Sequence, residues 1–167
     1  MAAVATNRPS SGGAAIAREL GIPLGELPQR MFSSVEERDT AMRDFFKAHG
    51  VELVVDAGFD RVHSAPFLEA FAGRIINVHP SLLPKFGGVM DAIEQALAAG
   101  ATQTGATVHL VTSDLDSGPI LLQRAVPVLP GDNPDTLRKR VHAAEYEILP
   151  EGIRMMEARL AKGPSVS

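Results

Sequence analysis

Asn77 and His79 stand two residues apart at the end of an apolar run, Ile75-Ile76-Asn77-Val78-His79-Pro80-Ser81-Leu82-Leu83-Pro84. Side chains alternate across a strand, so this amide and this imidazole emerge on the same face. The run follows Gly73-Arg74 as a short buried strand and stops at two prolines and a serine, the mark of a loop leaving a sheet edge. Open α/β sheets bind their ligands at such strand ends. Asp116 lies in a separate tight turn, Leu115-Asp116-Ser117-Gly118-Pro119, just before another apolar run. A carboxylate reaching an imidazole orients it and favours its protonated form, the arrangement of general acid–base catalysis. An adjacent amide can donate a hydrogen bond to a developing oxyanion. Asn77, His79 and Asp116 together therefore suit transfer of an acyl-like group without a covalent intermediate. No serine lies in a G-x-S-x-G context, so a nucleophile elbow is unsupported.

Blander roles stand beside each of these. Asn77 can be a core asparagine, and Asp116 can be a turn aspartate bonding its own backbone, a common use of that residue. Of the five histidines, His49 ends an amphipathic helix, His63 sits in a loop and His142 lies beside the apolar face of a helix. His109 falls in mid-strand, where a hydrogen-bonded core histidine is the safer reading. His79, His109 and Asp116 would also serve as metal ligands, but no compact H-x-x-x-H pair is present and no metal is expected. Ser10-Ser11-Gly12-Gly13 precedes a helix and could hold an anion at its N-terminus. It lacks the lysine and the spacing of a P-loop.

The elements that must position these groups alternate along the chain. Ala2–Thr6 reads as a strand, Ala14–Leu20 as a short helix closed by Gly21 and Pro23, and Leu24–Leu27 as an extended piece. Ser34-Val35-Glu36-Glu37 is a capping box. The helix it opens carries Val35, Met42, Phe45, Phe46 and His49 on one face and closes at Gly50. Val51–Ala57 reads as a buried parallel strand. Pro66–Phe71 reads as a short helix before the Asn77 strand. A helical stripe follows at Val89, Ala92, Ile93, Ala96 and Leu97, then strands at Thr107–Val111 and Ile120–Val128. Asn133-Pro134 caps a last helix to about Leu160, with Leu137, Val141, Ala144 and Ile148 on one face and a kink expected at Pro150. Alternation of this kind predicts an α/β fold, with a mainly parallel sheet and helices on both faces. One domain is expected over residues 1–162, with a flexible tail at 163–167.

The totals agree with that class. The chain has 167 residues, 45% of them hydrophobic and 22% charged, enough for a sizeable core. A net charge of −4 offers no basic footprint for nucleic acid. The absence of cysteine excludes disulfides, zinc-thiolate sites and thiol catalysis. No apolar run approaches a membrane span and no signal peptide is legible, so the expectation is a cytoplasmic protein.

Three blocks carry a resemblance: Asn77 to Pro84, then Gly105-Ala106-Thr107-Val108-His109, then Asp114-Leu115-Asp116-Ser117-Gly118-Pro119-Ile120-Leu121-Leu122-Gln123. In this order they resemble the phosphoribosylglycinamide formyltransferase family, folate-dependent enzymes of purine synthesis. The similarity runs from about Ala3 to Leu160. It implies a Rossmann-like formyltransferase fold, with 10-formyltetrahydrofolate as co-substrate and glycinamide ribonucleotide as acceptor. It implies that Asn77, His79 and Asp116 are the catalytic residues. It implies that Phe59, Arg61 and Val62 edge the folate pocket, and that Thr112, Asp114 and Leu115 meet the pterin. Glu145, Pro80 and Ser81 would contact the acceptor. The partners implied are small molecules, with neither nucleic acid nor membrane, and a homodimer is left open.

The chain also departs from the family. A first strand with a glycine-rich G-x-G-S-N loop, which holds the acceptor's phosphate, has no counterpart. Ala3-Val4-Ala5-Thr6-Asn7 resembles the second strand instead, so the fold is expected to be N-terminally shortened. Phe86-Gly87-Gly88-Val89-Met90-Asp91-Ala92 differs from the family's usual histidine-bearing loop. Two competing functions follow. One is formyltetrahydrofolate deformylase, in which water replaces the amine, although Pro80 stands where that family has a second histidine. The other is a shortened, non-catalytic folate-binding remnant. Methionyl-tRNA formyltransferase fits less well, because its C-terminal RNA-binding domain has no counterpart here.

Overall fold

A computed structural model describes residues 1–162; the tail expected at 163–167 lies outside them. The chain divides into two compact units. One comprises Met1–Val54 and Phe59–Ala72, the other Val55–Gly58 and the chain from Gly73 onward. Among the described residues no helix is long and apolar enough to cross a membrane.

The first unit begins with β1 (Val4–Thr6), helix α1 (Gly12–Glu19) and β2 (Leu24–Glu26). β1 and β2 pair in parallel, Val4 opposite Leu24 and Thr6 opposite Glu26. Ser11 caps α1, its hydroxyl accepting from Ala14 N at 3.3 Å. After a 3₁₀ turn at Gln29–Met31 comes α2 (Val35–Ala48). Its capping box forms with a one-residue difference from the sequence expectation. Ser34 Oγ accepts from Glu37 N at 3.0 Å, while the Glu37 carboxylate reaches back to Ser33 N at 2.7 Å and Ser33 Oγ at 2.6 Å. Met42 and Phe46 are buried as the stripe predicted; Val35 is 46% exposed. Phe46 meets Phe67 and Phe71, on and just after α3 (Ala65–Ala70), with ring centroids 6.2 Å away in both cases. Arg38 and Asp39 of α2 are also buried, although adjacent charges on a helix usually mark a solvated face.

The second unit is built on a four-stranded sheet ordered β3-β4-β5-β6: β3 (Val54–Asp56), β4 (Ile75–His79), β5 (Gln103–Leu110) and β6 (Ile120–Pro127). Helices α4 (Ala92–Ala98) and α5 (Pro134–Ala161) complete it. α5 lays Leu137, Val141, Ala144, Ile148 and Met156 into the core, and packs on β5 and β6. It runs unbroken through Pro150, where a kink was expected. Asn133 caps it, with Oδ1 accepting from Asp135 N and Thr136 N at 3.0 Å and Thr136 Oγ1 accepting from Asn133 N at 3.0 Å.

The α/β class is the one expected, but not every strand pair runs parallel. β4 pairs antiparallel with β5, and β5 antiparallel with β6. The reason for the second pairing is chain length. Only residues 111–119 link β5 to β6, and a parallel crossover needs a dozen residues or more. The hairpin then depends on Gly118. A Cβ there would fall 1.8 Å from Leu110 O, so no side chain fits. Gly105 answers a similar demand on β5, where a Cβ would lie 2.2 Å from Arg124 O.

Candidate active site

The antiparallel register of β4 and β5 sets Asn77 opposite His109 and His79 opposite Thr107. Residues directly opposite each other share a face, so the two strands present one amide and two imidazoles side by side. The turn after β5 brings Asp116 onto them. Asp116 has φ 50°, a left-handed conformation that aspartate tolerates better than most residues. Asp116 Oδ2 lies 3.2 Å from His79 Nδ1, and Oδ1 lies 3.5 Å from His109 Nε2. His109 Nε2 lies 3.2 Å from Asn77 Nδ2. The three residues read from the sequence as catalytic thus converge, and His109, read there as a core histidine, links two of them.

Each group is held from behind. His109 Nδ1 donates to the Leu110 carbonyl at 2.9 Å. His79 Nε2 donates to the Phe86 carbonyl at 2.9 Å, so both its nitrogens face acceptors, which an imidazolium satisfies with two N–H groups. Gly88 N donates to Asp116 Oδ2 at 2.8 Å. A hydrogen bond from His109 is the strongest influence on the Asp116 carboxyl. With the Gly88 N–H and positive charge on either imidazole, it outweighs burial and holds that carboxyl below the usual carboxylate range. Asp116 is therefore an anion beside His79 at neutral pH, as the acid–base reading requires.

The loop that leaves β4 is fixed by a polar network beneath it. Thr107 Oγ1 donates to Ser81 O at 2.7 Å and accepts from Leu83 N at 3.1 Å. Gln123 Nε2 reaches both Thr107 Oγ1 and Leu83 O at 2.9 Å. Ser81 is wholly buried, and its hydroxyl donates to Lys85 O at 2.5 Å. It therefore holds the loop, while its neighbour Pro80 is half-buried at the end of β4.

The remaining expected binding residues fall in three places. Thr112, Asp114 and Leu115 are exposed on the β5–β6 turn, with Thr112 Oγ1 donating to Asp114 O at 3.2 Å. Glu145 lies on α5 with its side chain only 14% exposed. Burial pushes its carboxyl up to about 7, and His142 Nε2 stands 3.8 Å away, beyond hydrogen-bond range. Phe59, Arg61 and Val62 belong to the first unit. There Arg61 and Val62, with Gln29, Val35, Arg38, His63 and Ser64, line a cavity of about 350 Å³. Phe59 stacks on His63 at 4.9 Å between centroids, and His63 stacks on Phe67 at 4.2 Å. Arg38 Nη2 meets Asp39 Oδ1 at 2.6 Å, Arg38 Nη1 meets Gln29 Oε1 at 3.1 Å, and Ser64 N donates to Asp39 Oδ2 at 2.6 Å.

Sequence reasoning missed His109 as a site member and Arg38–Asp39 as a buried pair. The first had a signal: pairing the Asn77 strand with the Gly105–His109 block sets His109 beside the amide. The second had none, because adjacent charges on a helix usually mark a solvated face. Among the described residues no three or more His, Asp or Glu side chains are arranged to hold a metal ion.

The formyl transferase family matches residues 1–153, and the chain belongs to that family. Within it, the chain is similar to phosphoribosylglycinamide formyltransferase of Haemophilus influenzae, 36% identical over 161 residues, which are 96% of this chain and 76% of that protein. It is 42% identical over 153 residues to the trifunctional purine biosynthetic protein adenosine-3 of Drosophila melanogaster; the match takes in 92% of this chain and spans only 11% of that protein. Among solved structures, glycinamide ribonucleotide transformylase 1 from Symbiobacterium toebii gives a TM-score of 0.90 at 43% identity, covering 93% of this chain and 73% of that one. The Rossmann-like formyltransferase fold expected from the sequence is the fold of these relatives.

Proposed function

We propose that the chain transfers the formyl group of 10-formyltetrahydrofolate to the amine of glycinamide ribonucleotide, a step of purine biosynthesis. The observation that carries this reading is the convergence of Asn77, His79 and Asp116 on one face of the β4–β5 pair, with His109 between Asn77 and Asp116. The similar proteins of Haemophilus and Symbiobacterium, named for this reaction or its acceptor, support it.

The residues divide the work. Asn77 donates an N–H to the formyl oxygen as the acceptor amine attacks the formyl carbon and the oxygen becomes an anion. His79, protonated, would donate a second from Nε2, exchanging the Phe86 carbonyl that it meets at 2.9 Å for the formyl oxygen. Preorganised donors aimed at a developing oxyanion are worth about 100- to 1,000-fold each. Asp116 holds His79 in place at 3.2 Å and assists proton movement. One C–N bond forms to the acceptor, one breaks to the folate nitrogen, and the proton lost by the attacking nitrogen ends on the leaving one.

Some of the residues named above offer groups that suit each substrate. For the folate, Leu115 on the β5–β6 turn offers an exposed apolar side chain, with Thr112 and Asp114 beside it. Taken by itself, the first unit offers Phe59, the exposed Val62 and, for a carboxylate tail, the largely exposed guanidinium of Arg61. For the acceptor, Glu145 offers a carboxyl group raised by burial, which hydroxyl donors would stabilise in its ionised form. Pro80 would border the acceptor directly, and Ser81 would act on it through the loop that it holds.

The test mixes the protein with 10-formyltetrahydrofolate and glycinamide ribonucleotide and follows folate absorbance. Release of folate only when the amine is present supports the proposal. Release without the amine points to the deformylase, and folate binding without either reaction points to a binding remnant; both overturn it.

A further inference from the structure

Asp60 has two arginines within reach and closes on only one of them. Its side chain is 13% exposed. Both of its carboxylate oxygens receive a donor from the segment that follows β1. Asn7 Nδ2 donates to Oδ1 at 2.9 Å, and Arg8 Nη2 donates to Oδ2. The Arg8 backbone is fixed by its neighbour, since Thr6 Oγ1 accepts from Arg8 N at 3.0 Å and donates to Arg8 O at 3.1 Å. Burial pushes the Asp60 carboxyl up, but the Asn7 amide and the charges of Arg8 and Arg61 outweigh it and hold the carboxyl below the usual carboxylate range. The second arginine, Arg61, is the next residue in the chain. Its Nε stands 3.6 Å from Asp60 Oδ1, beyond hydrogen-bond range, and its side chain is 57% exposed. With Val62 it lines the cavity of the first unit, to which all of these residues belong.

A carboxylate this close to Arg61 competes with any ligand carboxylate for the same guanidinium. With Oδ2 vacant, a side-chain rotation would let Arg61 form charge-assisted hydrogen bonds to Asp60, which are among the strong ones. Arg8 blocks that closure by occupying Oδ2 and by adding positive charge that offsets the pull of Asp60. We propose that Arg8 and Asn7 saturate Asp60 and thereby keep Arg61 available to a carboxylate on the ligand, which makes Arg8 a positioning residue that favours folates with an ionised glutamate tail. This rests on the folate reading above and deepens it. Arg8 does not touch the ligand, and its contribution passes through Asp60 and Arg61.

Calorimetric titration with folinate and with its glutamate diamide tests the idea on the wild type, Arg8→Ala, Arg8→Lys, Asp60→Asn and the Arg8→Ala, Asp60→Asn double variant. Folinate carries the tail carboxylates and the diamide carries none. A charge-assisted hydrogen bond is typically worth on the order of tenfold in affinity, so Arg8→Ala should weaken folinate binding by about five- to tenfold and change diamide binding by less than about twofold. Arg8→Lys keeps the charge and a donor and should retain most of the affinity. Asp60→Asn removes the competing carboxylate, so it should bind folinate at least as tightly as the wild type and should restore affinity in the double variant. A latch that merely holds the loop predicts the opposite, with Asp60→Asn weakening both ligands and rescuing nothing. That pattern would overturn the proposal, as would equal folinate affinity in Arg8→Ala and the wild type. Nitrogen NMR of the unliganded protein separates the idea from the folate reading. In Arg8→Ala the Arg61 Nε resonance should shift and its N–H should exchange more slowly, as a guanidinium closed on Asp60 would, whether or not the protein binds folate. An Arg61 signal unmoved by Arg8→Ala would sink the proposal even in a protein that binds folinate.

Discussion

Replacing Glu145 with glutamine should stabilise the folded chain, and by an amount that grows with pH. Burial alone raises this carboxyl from 4.5 to about 7. Each tenfold change in proton affinity is worth about 1.4 kcal/mol, so the ionised carboxylate costs the folded chain on the order of 3 kcal/mol. The sign follows from proton counting. Between 4.5 and about 7 the folded state holds the proton that the unfolded state has released, so stability falls as pH rises through that window. Below it the carboxyl is neutral in both states and the penalty vanishes. Glutamine keeps the shape and cannot ionise. The Gln variant should therefore match the wild type near pH 4 and exceed it near pH 8. For a chain of this size about 3 kcal/mol corresponds to roughly 6–12 °C in melting temperature. Calorimetric scans of both proteins across that range read the difference directly. A difference that does not change with pH would refute the burial argument. So would a variant less stable than the wild type near pH 6, because that would mean His142, 3.8 Å away, pairs with the carboxylate. The same substitution should raise KM for the acceptor, if the ionised group meets its hydroxyls; a gain in stability bought at a functional site commonly costs activity.

Other outcomes follow from other contacts. His79→Asn and Asp116→Asn should each abolish measurable formyl transfer while circular dichroism and melting stay near the wild type; turnover within about tenfold of wild type in either would contradict their roles. Asp39→Asn leaves Arg38 buried without its counter-charge and should cost about 3–5 kcal/mol in denaturant unfolding; a cost under about 1 kcal/mol would mean that water or Gln29 already satisfies the guanidinium. Gly118→Ala must displace Leu110 O, which a Cβ would approach to 1.8 Å, so the β5–β6 hairpin should distort and soluble folded yield should fall; a crystal structure with an unchanged hairpin would refute the close approach. Ser34→Ala should cost about 1 kcal/mol through loss of the α2 cap, seen as a shifted urea midpoint at unchanged slope.

Which parts of this molecule could be read from the chain follows from the range of the forces that make them. Helix caps and stripes are local, so Ser34 and Asn133 begin their helices in the structure, and the α5 stripe from Leu137 to Ile148 is buried as its spacing demands. The shared face of Asn77 and His79 is equally local, a consequence of strand alternation alone. Strand direction is not local. Alternating helices and strands argued for parallel pairing, but nine residues between β5 and β6 force a hairpin, and the spacing was there to be counted. The approach of Asp116 to His79 across 37 residues (116 − 79) rested on the motif rather than on any local rule; the structure supplies its cause in the left-handed Asp116 and the glycine two residues on.

The Arg38–Asp39 pair shows where local reasoning fails. A helix with charged residues at adjacent positions reads as solvated on that side, and propensity contains nothing to contradict it. Both side chains are nonetheless fully buried. Burying them is tolerable only because each remaining polar atom finds a partner from another element: Gln29 for the guanidinium, the Ser64 amide for the carboxylate, and the Phe59 ring 5.6 Å from the guanidinium carbon. Those partners lie 9 and 25 residues away for the hydrogen bonds, so no window along the chain could show them. A buried ion pair commonly adds little net stability while its disruption is costly, and its worth here is geometric. It ties α2 to the segment at Phe59–Ser64, the stretch that carries Arg61 and Val62 to the wall of the cavity. Replacing Arg38 and Asp39 together by methionine and leucine should therefore leave stability nearly unchanged yet weaken folate binding, whereas Asp39→Asn alone should damage both. Equal folate affinity in the double variant and the wild type would show that the pair holds nothing that the ligand needs.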